Sequence, residues 1–188
     1  MTDEGRFPPA HGDSMANAPR AVSLADGVSR VQLDAVAETG RPDQTGTAAD
    51  ISRGVARLLM AHDIAIVTEL VLPDGRRADV VGVSATGAIS IVEIKSSVAD
   101  FRADHKWADY RAYCDKLYFA VDTTFPVAIL PVDAGLILAD RYGGAFERAA
   151  PEHRLAAVRR KAMILRFGRA AAARLARVID PALSIDRF

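Results

Sequence analysis

The sequence predicts an α/β fold, a mixed central sheet flanked by helices. Short β-rich runs separated by tight turn signals fill residues 64–95. Two apolar runs without alternation follow at 117–121 and 135–139, as expected of strands covered on both faces in a partly parallel sheet. Helical periodicities stand before, between and after these runs, so the order reads α, βββ, α, β, β, α.

Residues 1–44 are rich in Ala, Gly, Pro, Asp and Ser and lack a sustained apolar period. They read as a flexible tail, with a short helix over 28–38 at most, and the domain is expected over 45–188. From Thr47 the pattern changes. Ile51, Val55, Leu58 and Leu59 recur at helical spacing, and Thr47 can cap the start with Asp50 in the first turn. A strand over 64–72 ends at Pro73-Asp74-Gly75, a strong turn signal. A second strand spans 77–83, Thr86-Gly87 turns the chain, and a third strand spans 88–95. Such short connections predict an antiparallel meander. Ser97 can cap a helix running from about 98 to 115, with Asp100 three residues on. A crossover at 125–133 carries two prolines, residues 141–144 read as a loop, and a last helix is expected from 153 to about 179, interrupted near Gly168.

The totals narrow the function classes. At 188 residues the chain has room for one domain plus a tail. Cys114 is the single cysteine, which excludes intrachain disulfides and a Cys-rich zinc cage. No run is apolar enough to span a membrane and the start lacks a signal peptide's pattern, so a cytoplasmic protein is expected. Net charge is zero, but its distribution is uneven: residues 1–50 hold 4 basic and 8 acidic residues, residues 151–188 hold 9 and 3. A basic C-terminal segment is balanced by an acidic front.

Chemistry concentrates in residues 68–97. Glu93 and Lys95 are two apart on a strand and share a face, while Ile94 points to the other. If Ala88 pairs with Ser84, Asp79 lies opposite Glu93, and the same count on the first hairpin sets Glu69 opposite Asp79. One register thus gathers Glu69, Asp79, Glu93 and Lys95. Carboxylates crowded this way favour Mg²⁺ (or Mn²⁺), which takes hard oxygen ligands; the Ile94 carbonyl can add one more. A neighbouring lysine can stabilise charge on a phosphate. The sum suggests metal-assisted phosphodiester hydrolysis. Alternating charge and isoleucine on an antiparallel strand is more often one solvated face, and spacing alone leaves catalysis the minority reading.

The arrangement of a helix, Asp79, a gap, and Glu93-Ile94-Lys95 resembles the PD-(D/E)xK nuclease superfamily. More narrowly, GRRADVVGV, IVEIKSSVADFRADHKWADYRAYCD, LYFAVDTTFP, GLILAD and RRKAMILRFGRAAAARL together resemble the MmcB-like DNA repair family of bacteria. The resemblance implies a restriction-endonuclease-like fold, a role in DNA repair and damage-induced mutagenesis, and endonuclease activity. It implies DNA as partner, with other mutagenic repair proteins alongside. By similarity, Asp79 and Glu93 would be metal ligands and Lys95 the catalytic lysine; either Glu69 takes the place of a third ligand or the site has two. Ala78 stands where the motif's name has proline, and Asp74 is set aside as a turn residue. Lys106 and Tyr110, four apart, resemble a Gln-xxx-Tyr element of related nucleases with lysine in place of glutamine.

For the DNA backbone the candidates are Arg76 and Arg77 beside the site, Lys106 and Tyr110 on the second helix, and Arg159, Arg160 and Lys161 on the last. The alternatives are hairpin pairing of arginine with Asp74, a core role for Phe101, Trp107 and Tyr110, and pairing of C-terminal arginines with acids such as Asp109 or Asp140. No base-reading element is visible.

Overall fold

The computed structural model describes residues 47–104 and 106–183. The expected tail over 1–44 lies outside them. Helix α1 (Ala48–Ala61) starts as the sequence predicts: Thr47 accepts the Asp50 amide at 3.2 Å, and its hydroxyl donates to the Asp50 carboxylate at 2.9 Å. Strands β1 (Ile64–Val71), β2 (Arg77–Ser84) and β3 (Ile89–Ile94) form the antiparallel meander. Asp74 accepts the Arg76 amide at 3.0 Å inside the first turn, the local bond that turn chemistry calls for, and Gly75 supplies the positive φ of 85°.

Beyond β3 the sheet changes sense. Strands β4 (Lys116–Val121) and β5 (Gly135–Ala139) join in parallel, and β6 (Gly144–Arg148) closes the far edge antiparallel to β5. Spatial order equals sequence order, β1-β2-β3-β4-β5-β6. All six residues of β3 are buried, because both sheet faces are covered. On one face α1 packs Ile51, Val55, Leu58 and Leu59 against Val80, Val92, Ile94 and Ile137. On the other, Val81, Ile89, Ile91 and Leu117 meet Tyr110, Cys114 and Met163, while Phe119 meets Phe101 and Trp107. The aromatics of the second helical segment are therefore core, and Cys114 is a buried small side chain whose thiol burial pushes up to about 12.

Four expectations need correction. The helix expected over 98–115 is broken: α2 (Val98–Ala103) ends at Asp104, and a 3-10 helix spans Trp107–Ala112. The Asp104 carboxylate accepts the Lys106 amide at 2.9 Å, a local bond that competes with continuing the helix. Strand β6 takes residues on either side of the expected loop end, too short a run to show a period. The last helix, α3 (Ala157–Ile179), begins later than expected and runs unbroken through Gly168, an exposed position where glycine costs only about 1 kcal/mol of helix propensity. Finally, β1 pairs Thr68 with Val80 and Leu70 with Ala78, but the ladder skips Glu69, which takes a left-handed φ of 49°. For a non-glycine residue that conformation costs on the order of 1 kcal/mol or more.

Asp115 ties α3 to the sheet. Its buried carboxylate accepts the amides of Ile89 (2.8 Å) and Leu155 (3.0 Å) and a two-pronged bond from Arg160 (2.6 and 2.7 Å). Burial alone would raise its pKa; the Arg160 bonds and the two amides outweigh this and hold it below the usual range.

Candidate active site

The site lies where β2 begins and β3 ends. Val80 faces Val92 and Ser84 donates its amide to Ala88 at 3.0 Å, so the register sets Asp79 opposite Glu93 as the turn length predicts. Asp79 is half-buried and accepts the Ile94 amide at 2.8 Å. Glu93 is buried, 3% exposed, and its Oε1 has no hydrogen-bond partner among the described residues. Burial first, then the Asp79 charge, pushes Glu93 up to about 8; burial chiefly raises Asp79 too. These are two carboxylates that the fold makes reluctant to ionise together.

Lys95 is also buried, and its ammonium meets the Asp104 carboxylate at 2.7 Å. Burial disfavours the charged lysine, but the Asp104 bond and charge prevail and raise its pKa. Asp104 in turn is lowered: burial opposes, while the Lys95 bond and the Lys106 amide win. Asp104 is the site residue that the sequence reading missed. It lay inside a stretch read as continuous helix, and no spacing set it apart.

An open cleft of about 380 Å³ is lined by Lys95 and Asp104 together with Arg76, Arg77, Lys106 and Tyr110 among others; Asp79 and Glu93 are not among its lining residues. Four expected DNA contacts thus do converge on one cleft, though not as expected. Arg76 bridges Asp74 (3.4 Å) and Asp109 (2.6 Å). Arg77 is exposed and pairs with Glu69. Tyr110 is buried, and its hydroxyl donates to the Arg77 carbonyl at 3.2 Å, so it fixes the cleft wall instead of projecting from a helix beside Lys106. Lys106 is exposed just before the 3-10 helix.

Glu69 does not join the carboxylates. Its bent backbone and its pairing with Arg77 turn it outward, and among the described residues no group of three or more His, Cys, Asp or Glu side chains is placed to hold a metal. The C-terminal basic residues do not line the cleft either. Arg160 is bound to Asp115 and to the Gly87 carbonyl (2.8 Å), at the opposite end of β3 from Glu93, roughly 13 Å of strand away. Arg159 reaches toward the Ala112 carbonyl at 3.5 Å, and Lys161 is exposed on the same turn of α3.

A family model described as DNA repair protein MmcB-like matches residues 34–182. The chain belongs to the MmcB-like DNA repair family. The cleft, Asp79, Glu93, Lys95 and Asp104 all fall within the matched MmcB-like region. A solved structure, a protein of unknown function from Silicibacter pomeroyi, is similar at 43% identity and a TM-score of 0.72, covering 78% of this chain and 100% of its own. None of the curated proteins matches this MmcB-like chain. Among its described residues no helix is long and apolar enough to cross a membrane.

Proposed function

We propose that this MmcB-like chain is a metal-dependent nuclease of the PD-(D/E)xK type that hydrolyses DNA phosphodiester bonds during repair. The observation that carries the reading is the buried Oε1 of Glu93 beside Asp79, unpartnered among the described residues. An orphan carboxylate oxygen next to a second carboxylate is costly unless protonated or bound to a cation. The donor set fits one Mg²⁺ or Mn²⁺: Asp79, Glu93 and the Ile94 carbonyl, which strand geometry aims to the same side as the amide that Asp79 accepts. Such an ion, when bound, activates water and clamps a phosphate oxygen.

The residues around that position have definable tasks. Lys95, kept charged by Asp104, supplies positive charge where a phosphate gains negative charge. Arg77 and Lys106 border the cleft as exposed cations and would hold flanking phosphates. Tyr110 fixes the Arg77 backbone. Arg76, already bridging two carboxylates, shapes the wall.

The direct test is hydrolysis of duplex, single-stranded and branched DNA with Mg²⁺ or Mn²⁺, alongside calorimetric Mn²⁺ titration. Cleavage lost in Asp79→Ala, Glu93→Gln and Lys95→Ala is expected; cleavage unchanged in all of them would sink the assignment. One observation favours a second reading, a DNA-holding module without turnover: the Lys95 ammonium is already bound by Asp104. DNA binding without metal binding or cleavage would support it.

A further inference from the structure

Helix α3 is 23 residues long, yet only Met163 and Ala170 among its residues are buried. A helix packed on one side of a sheet ordinarily hides its apolar stripe there. Here much of the apolar surface faces away. Ile164, Gly168, Ala171, Leu175 and Val178 recur at alternating spacings of four and three, the pattern of a helix–helix seam; Ala171 packs against the core and Ile164 lies over Gly87, so the stripe borders the core and opens outward at Gly168, Leu175 and Val178. Leu175 is 61% exposed, Val178 79% and neighbouring Ile179 77%. A side chain built at Gly168 would meet nothing within 4 Å, so the middle of the seam is open.

We propose that this face docks a helix of a protein partner, one that is amphipathic with acidic flanks. Charge selects the occupant. Helix α3 carries seven basic residues and no acidic one, and of the seven Arg160 is ion-paired with Asp115. Arg159, Arg166 and Arg174 bond main-chain carbonyls of Ala112, Val71 and Glu69, which orders them without cancelling their charge. A second copy of this chain would set the same basic helix against itself, and juxtaposed like charges are costly. A DNA backbone would satisfy the charge and leave the aliphatic side chains against sugar and phosphate. An acidic amphipathic helix answers both features, and Gly168, with nothing within 4 Å of a side chain built there, lets its backbone approach closely. No residue of α3 lines the cleft, and the inference does not depend on nuclease activity.

The test uses the full chain and a fluorescein-labelled peptide of about three heptads, with leucine at the seam positions and glutamate on both flanks. A second peptide carries lysine in place of glutamate. Saturable anisotropy is expected for the acidic peptide only, weakening at high salt. Leu175→Glu and Val178→Glu are each expected to weaken it about tenfold or more while leaving the melting temperature nearly unchanged, since both positions are exposed. Absent binding, equal binding of the two peptides, or full binding by both variants would overturn the proposal. So would a concentration-dependent dimer in sedimentation that Leu175→Glu dissociates, which would give the face to a second copy.

Discussion

The ammonium of Lys95 and the carboxylate of Asp104 meet at 2.7 Å, with the lysine side chain 6% exposed and the aspartate 22%. Asp104 does two things at once: it keeps a buried lysine charged, and by accepting the Lys106 amide it ends α2. Removing one partner of such a pair leaves an uncompensated buried charge. Asp104→Ala is expected to destabilise the fold by about 3 kcal/mol, and Lys95→Met added to it is expected to recover much of the loss. Urea denaturation of the two single variants and the double variant measures this coupling.

Glu93 sets a pH dependence whose sign follows from its raised pKa. The folded chain keeps a proton on Glu93 up to about pH 8, while the unfolded chain releases it near the ordinary value of 4.5. The stability this contributes is whole below about 4.5 and is lost as pH rises through 8. Glu93→Gln is therefore expected to match the wild type at pH 5 and to exceed it in melting temperature at pH 9. Thermal melts across that range decide it. A cation at the proposed position would displace the same proton, so stabilisation by Mn²⁺ is expected to grow between pH 6 and pH 8 and to vanish in Glu93→Gln.

Asp115 and Arg160 give the opposite sign. Because the Asp115 pKa is lowered, its contribution is present above the ordinary carboxylate value of 3.8 and lost as pH falls through the folded-state value. Arg160→Ala leaves Asp115, 2% exposed, with two backbone amides and no counter-ion. A loss of about 3 kcal/mol is expected in chemical denaturation at pH 7. DNA affinity is expected to fall no further than unfolding explains, since Arg160 does not line the cleft.

The cleft cations should separate from those of α3 in a salt titration. Each phosphate contact contributes about one unit to the slope of log affinity against log salt. Arg77→Ala and Lys106→Ala are each expected to lower that slope by about one on duplex DNA. Lys161→Ala, on the far end of the sheet, is expected to leave it unchanged. Equal effects of all three would mean that DNA contacts α3 as well as the cleft.

The sequence by itself determined what depends on near neighbours along the chain. Turn chemistry at Asp74-Gly75 and Thr86-Gly87 set the hairpin registers, and those registers set Asp79 opposite Glu93. Caps at Thr47 and Ser97 started α1 and α2 where a side-chain oxygen could accept an amide three residues on. Unbroken apolar runs marked β4 and β5 as covered on both faces.

Only the tertiary structure decided which charge meets which. Asp104 finds Lys95 across a break that periodicity could not show. Arg160 finds Asp115, 45 residues away, because α3 returns over the Gly87 end of the sheet. Thr68 and Leu70 keep the expected register, but Glu69 between them drops out of the ladder and leaves the carboxylates, because one left-handed φ turns its side chain toward Arg77. Register is a local, repeating constraint and can be counted along a strand. Charge pairing between separate elements depends on long-range packing and on a few backbone angles, and neither is written in the spacing of residues.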